Sequence, residues 1–170
     1  ESGRLDWLGA FAVTAGHGVQ EFAATLEKDL DDYSAIIVKA IGDRLAEAFT
    51  DCLHKKAREN WQYGIDENRS NDDLIKERYR GIRPAPGYPA CPDHAVKGPL
   101  FELLEAERLE MSITETFAML PAASVSGFYL AHPDARYFAV GRIGNDQLAD
   151  FAARDGIAID DARRRLAPNL

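Results

Sequence analysis

The chain has 170 residues, 46% of them apolar and 28% charged, with a formal net charge of −8. That length and balance fit a single soluble domain, or one compact part of a larger protein, with room for a core. The acidic charge argues against a nucleic-acid surface as the main function, and no apolar run is long enough for a membrane span.

Trp7 to Thr14 is apolar with small residues interspersed and reads as a buried strand. Ala15-Gly16-His17-Gly18 is a turn, and Val19 to about Leu30 a short helix with Phe22, Leu26 and Leu30 on one stripe. Asp31-Asp32 supplies an N-cap for the longest element, a helix from Tyr33 to about Trp61. Its apolar residues Ile37, Ile41, Leu45, Ala48, Phe49 and Cys52 are expected to face inward and make it the spine of the core. Glu47 lies beside that stripe, and its ordinary role is a solvated charge. Ser70 caps a short helix over Leu74 to Tyr79, with Asp73 in the capping-box position.

Pro99 then opens a helix with Leu100, Leu103, Leu104 and Leu109 as its stripe. Met111 to Thr114 alternates like a strand start. Ser124 to Leu130 reads as a strand that returns, through the turn His132-Pro133-Asp134-Ala135, as a second strand over Arg136 to Ile143; the two are expected to form a hairpin. A helix from Asp146 to Arg154 ends at Gly156, and a last helix covers Asp160 to Leu166. Helices and strands mix without a βαβ rhythm, so the fold class is α+β with a twisted antiparallel sheet and flanking helices, curved into a single domain.

The stretch Tyr79-Arg80-Gly81-Ile82-Arg83-Pro84-Ala85-Pro86-Gly87-Tyr88-Pro89-Ala90-Cys91-Pro92-Asp93-His94 holds four of the eight prolines. Proline fixes φ and removes a donor, so the run is neither helix interior nor central strand. A stiff, extended strip with uncommitted backbone groups reads as one wall of a site. Arg83 in such a wall is able to clamp a carboxylate, and Glu77 before it to meet an ammonium. Tyr88 and Tyr137 offer faces for a cation or a base, and the backbone at Ala85 can read the edge of a base. Carboxylate, ammonium, cation and purine together describe S-adenosylmethionine. Against that stands the commoner role of an arginine in a Pro-rich turn, a surface residue.

Other chemistry is weaker. Cys91 and His94 are three apart, but no second pair follows at zinc-site spacing, so a metal site is not expected. The same two residues as a thiol and its base define a hydrolase alternative, without a catalytic signature around them. Gly16-His17-Gly18 lacks the third glycine of a phosphate loop. Cys52 and Cys91 form no disulfide framework and suit a reducing, cytoplasmic compartment. The opening residues read as no secretory signal, and both ends read as cut from a longer protein.

Three stretches go further. Arg-Gly-Ile-Arg-Pro-Ala-Pro-Gly-Tyr-Pro-Ala-Cys-Pro-Asp-His at residues 80–94, the run from Phe117 to Gly127, and His132 to Val140 resemble the C-terminal activation domain of cobalamin-dependent methionine synthases. Asp31-Asp32-Tyr33-Ser34, Lys39-Ala40, Asp43 to Ala48 and Leu166 to Leu170 are similar to that family as well, so the likeness runs the whole chain in order. It implies that the domain binds S-adenosylmethionine and supplies its methyl group for reductive methylation, the reactivation of cob(II)alamin. By motif position it implies that Arg83 binds the methionyl carboxylate and that the backbone at Ala85 contacts the adenosyl part. Tyr88 shapes the pocket, Tyr137 and Phe138 form the other side, and Glu47 and Glu77 match acidic positions of the ligand site.

The family domain is about twice this length, so residues 1–170 are expected to be its C-terminal part, with an N-terminal half that carries a further ligand-binding Asp. Cobalamin and zinc are implied elsewhere in the parent enzyme, with no metal and no catalytic acid, base or nucleophile here. The implied partners are the cobalamin-binding domain and a flavodoxin-like or other flavoprotein electron donor, with neither nucleic acid nor membrane. The alternative is a non-catalytic docking module, for which Asp43 and Asp51 on the long helix are candidate contacts and a solvated face the commoner reading.

Overall fold

The computed structural model describes residues 3, 5–67 and 69–170. In chain order, β1 (Gly9–Thr14) is followed by α1 (Val19–Lys28), α2 (Asp32–Asn60) and α3 (Asn71–Ile75). After the Pro-rich strip come α4 (Lys97–Leu103), β2 (Ser112–Ile113), β3 (Met119–Leu120) and β4 (Ser124–Tyr129). Helices α5 (Asn145–Asp155) and α6 (Ile159–Arg165) close the chain. This is an α+β fold with small antiparallel sheets, as the sequence leads one to expect.

The helix starts follow local chemistry. Asp31 accepts a hydrogen bond from the Ser34 N–H at 3.0 Å and starts α2, answering one of the four donors that a helix leaves free at its first turn. Ser70 and Asp73 form the expected capping box of α3, which ends at Ile75, earlier than the pattern indicates. Gly156 adopts φ 67°, the left-handed conformation that closes α5.

The sheets differ from the sequence expectation. Residues 136–143 form no strand, and the hairpin is absent. β4 pairs instead with β1, more than a hundred residues away, Gly9 opposite Tyr129 and Thr14 opposite Ser124. On its other side β4 is met by the Pro-rich strip. The Ile82 N–H donates to the Leu130 carbonyl and the Leu130 N–H to the Ile82 carbonyl, both at 3.0 Å, and the Phe128 N–H donates to the Pro84 carbonyl at 2.9 Å. The strip is therefore a partner of the sheet, and fewer of its backbone groups are free than its prolines indicate. Gly127 permits this approach: a Cβ there would lie 2.5 Å from the Pro84 carbonyl oxygen and 3.0 Å from the Phe11 ring. Residues 112–120 do form a hairpin, β2 with β3.

The long helix turns the other way from its expected face. Ile37, Ile41, Leu45, Phe49 and Cys52 are exposed. The buried face carries Ala35, Gly42, Ala46, Thr50, His54, Ala57 and Arg58. Small residues let α2 lie close to the sheet, where Phe11, Ala57 and Tyr129 pack with Leu53 and Val125. Leu103, Leu109 and Trp7 are likewise exposed, while Phe101 takes the buried position next to Ala106 and Met111. A separate cluster of Leu148, Ala152, Ala162 and Leu166 joins α5 to α6. Among the described residues no helix is long and apolar enough to cross a membrane.

Candidate ligand-binding cleft

Between α2 and the Pro-rich strip lies a cleft of about 670 Å³, within the ~300–1,000 Å³ of small-molecule sites. Phe11, Ala46 and Val125 form apolar parts of it, and Glu47, Glu77, Arg83, Ala85, Tyr88, Tyr137 and Phe138 all line it. The seven residues named for the ligand site are thus brought to one cavity, from elements far apart in the chain.

Arg83 is the most constrained of them. Its side chain is 18% exposed. One guanidinium nitrogen, Nη2, lies 2.7 Å from the Asp51 carboxylate and 3.4 Å from that of Glu77. The other, Nη1, donates to the Tyr79 hydroxyl. Its backbone N–H donates to the Tyr137 hydroxyl at 3.0 Å. Burial disfavours the charge of Arg83, but Tyr79, Asp51, Tyr137 and Glu77 outweigh it and hold the guanidinium above its ordinary pKa. The result is a fixed cation at the edge of a half-open cavity.

The acidic residues divide. Glu47 is exposed and pairs with Arg44 at 2.7 Å, an arrangement with little net stabilisation that leaves it at the rim. Glu77 follows α3 with φ 52°, which turns its carboxylate back towards Arg83. Asp43 and Asp51 are the residues that sequence reasoning placed on an outer docking face; both line the cleft. The signal was present as spacing. Asp51, His54 and Arg58 fall at i, i+3 and i+7, a polar stripe on one helix face, and that stripe, not the apolar one, points inward.

The strip's backbone is partly committed. The Ala85 carbonyl accepts from the Tyr88 N–H at 3.3 Å, while the Ala85 N–H makes no hydrogen bond within the described residues. The Gly87 N–H donates to the Cys91 carbonyl at 2.7 Å and closes the turn that presents Tyr88, itself 65% exposed. Opposite, the irregular segment carrying Tyr137 and Phe138 is tied down by the Val140 N–H, which donates to the Pro89 carbonyl at 2.9 Å. Both aromatic rings therefore reach the cleft from a loop rather than from a returning strand.

Cys91 and His94 do not line this cleft. Burial and the nearby Asp93 push the Cys91 thiol up, away from the thiolate. His94 Nδ1 lies 2.9 Å from Lys97 Nζ, and burial together with that ammonium lowers the pKa of the imidazole. A protonated thiol beside a neutral ring is not an activated nucleophile pair. Among the described residues no three His, Cys, Asp or Glu side chains gather as a metal site.

The cleft thus offers a fixed cation, acidic side chains, the Ala85 backbone donor and aromatic faces. Chemically, such a set can meet a carboxylate, an ammonium and a flat ring in one small molecule.

The fold and the family are shared with known proteins. A solved structure described as the MetH reactivation domain bound to AdoHcy superposes with a TM-score of 0.96 at 52% sequence identity. The match covers 99% of this chain and 53% of that one, so the chain spans about half the length of that neighbour. Residues 1–156 match the family described as vitamin B12 dependent methionine synthase, activation domain. With that match over most of its length, the chain belongs to the family of vitamin B12-dependent methionine synthase activation domains.

Proposed function

We propose that the cleft binds S-adenosylmethionine and presents its sulfonium methyl group for the reductive methylation that reactivates the cob(II)alamin of a methionine synthase. The observation that carries this reading is the Arg83 guanidinium, fixed by Asp51, Glu77 and Tyr79 at the end of a cavity walled by Tyr88, Tyr137 and Phe138. Support comes from the solved neighbour, whose bound AdoHcy is the demethylated form of this ligand.

In this reading Arg83 takes the methionyl carboxylate, with the bidentate geometry that suits a guanidinium. Glu77 and Glu47 face the ammonium, and the free Ala85 N–H and the Tyr88 ring meet the adenosyl group. Tyr137 and Phe138 close the opposite side. Cobalamin, held in another part of the parent enzyme, supplies the reduced cobalt centre that accepts the methyl group. This chain's residues contribute orientation and effective concentration rather than a nucleophile, acid or base. The sulfonium is already a good leaving group, and no side chain in the cleft is needed to protonate it.

As further parts of the same proposal, residues 1–170 are the C-terminal portion of the family domain, zinc belongs to a distant part of the parent enzyme, and the cobalamin domain and a flavoprotein electron donor are the partners. The 53% coverage of the neighbour and the uncovered apolar stripe of α2 support the first of these. The test of the ligand is calorimetric titration of S-adenosylmethionine into the full-length protein. Arg83→Ala is expected to weaken binding by about 1.5–3 kcal/mol, the range for hydrogen bonds to charged groups. Unchanged affinity in that variant refutes the assignment.

A further inference from the structure

Behind the cleft runs a buried stack of rings. Phe11 lies at the floor of the cavity, 3% exposed. Its ring stacks on Tyr129 with centroids 4.7 Å apart. Tyr129 stacks in turn on His54 at 4.8 Å, the planes within 5°. The His54 ring meets Tyr79 at 5.0 Å, nearly perpendicular. The Arg58 guanidinium lies 4.0 Å from the centre of the same Tyr79 ring. The last member, Tyr79, accepts the hydrogen bond from Arg83 Nη1.

Two features separate this column from ordinary core. His54 has no solvent exposure, yet its Nδ1 makes no hydrogen bond, and neither does the Tyr129 hydroxyl. Buried polar atoms without partners are costly and call for a reason. His54 Nε2 lies 3.4 Å from the Tyr63 hydroxyl, so packing and that one long polar contact hold the ring. The second feature is charge. Arg58 and Arg83 both face this corner, with Asp51 and Glu67 as their acidic neighbours. A neutral imidazole is the species compatible with two cations, and a protonated one would repel the clamp.

We propose that Tyr79, gripped between Arg58 and His54, is a positioning residue for the ligand's carboxylate, acting through Arg83. Tyr79 does not line the cleft. Its hydroxyl fixes one edge of the guanidinium while Asp51 lies beside the other, so the fork is aimed before the ligand arrives. Preorganisation of this kind lowers the entropy lost on binding. The proposal rests on the reading of Arg83 as the carboxylate clamp, and the test separates the two.

Full-length protein is titrated calorimetrically with two ligands: S-adenosylhomocysteine, which carries the amino-acid carboxylate, and methylthioadenosine, which lacks it. Tyr79→Phe is expected to weaken S-adenosylhomocysteine about five- to tenfold, the order of a single hydrogen bond at ~1 kcal/mol or somewhat above, and to leave methylthioadenosine within twofold. In an Arg83→Ala background the same change is expected to have no further effect. Equal loss for both ligands overturns the proposal, because it reports a general disturbance of the pocket. Unchanged S-adenosylhomocysteine affinity in Tyr79→Phe, with a loss in Arg83→Ala, overturns the positioning role alone. Unchanged affinity in Arg83→Ala overturns the clamp and this proposal with it.

Discussion

The Asp51 carboxylate lies 2.7 Å from the Arg83 guanidinium, so the longest helix reaches across the cleft to hold the cation of the Pro-rich strip. The contact is close without being aligned as a hydrogen bond. It therefore works as charge beside charge, in a place where both side chains are largely shielded from water. Two segments that share no sheet and lie some thirty residues apart in the chain are thereby fixed to each other at the site itself.

Asp51→Asn removes the charge and keeps the shape. Arg83 then retains Glu77 and Tyr79 but loses its nearest anion. Removing one partner of a shielded pair leaves the other uncompensated, so a loss of about 1–3 kcal/mol in stability is expected. Urea denaturation reads it as a lower midpoint at unchanged slope.

Gly127→Ala tests the approach of strip to sheet. The added Cβ meets backbone, the Pro84 carbonyl oxygen at 2.5 Å, which cannot rotate aside. Overpacking of this kind costs typically ~1–3 kcal/mol. Pro84 adjoins both Arg83 and Ala85, so the variant is expected to lose S-adenosylmethionine affinity along with stability. A variant of wild-type midpoint and affinity shows that the strip yields freely.

His54 gives the protein a pH dependence of known sign. Burial, then Arg58 and Arg83, push its pKa from the ordinary 6.5 down to about 3. At pH 7 the ring is neutral in both folded and unfolded chains. As the pH falls below 6.5 the unfolded chain takes up a proton that the folded chain refuses until about pH 3. Stability is thus complete above pH 6.5 and declines between 6.5 and 3, by up to about 1.4 kcal/mol per unit. Between pH 7 and pH 5 the contribution is about 2 kcal/mol. His54→Phe, which keeps the stack and cannot charge, is expected to flatten the decline by that amount in parallel denaturation series. Equal slopes for the two proteins show that His54 is not buried neutral.

Some of this was legible in the chain and some was not, for definite reasons. Capping residues such as Asp31 and Ser70 act within one turn, so their helices were readable where they begin. The proline spacing marked the strip, because proline acts on the backbone locally. The partner of β4 was not readable: composition in residues 124–130 says that a strand exists, while its pairing with β1 depends on a contact across most of the chain. Composition favoured the nearby segment after His132, whose rings turn out to reach the cleft from a loop.

The inward face of α2 was misread for a different reason. An apolar stripe is taken as the buried one when the helix belongs to a closed core. Here the closest packing is made by Gly42, Ala46 and Ala57, and the polar residues beside them are neutralised in pairs. Asp51 looked like a solvated charge because nothing in a single helix tells which cations wait on the facing strip. Among the cleft residues, Arg83, Ala85, Tyr88 and Tyr137 came from their own chemistry and Phe138 from motif likeness, and the structure gathers them around one cavity.

Methyl transfer is the most direct measurement. Full-length protein carrying cob(II)alamin is supplied with a low-potential electron donor and methyl-labelled S-adenosylmethionine, and the label on cobalamin is followed through a single turnover. Label should appear on cobalamin in step with reduction in the wild type, and be sharply reduced in Arg83→Ala at the same ligand concentration. Label that stays on S-adenosylmethionine in the reduced wild type, at saturating ligand, contradicts the proposed function.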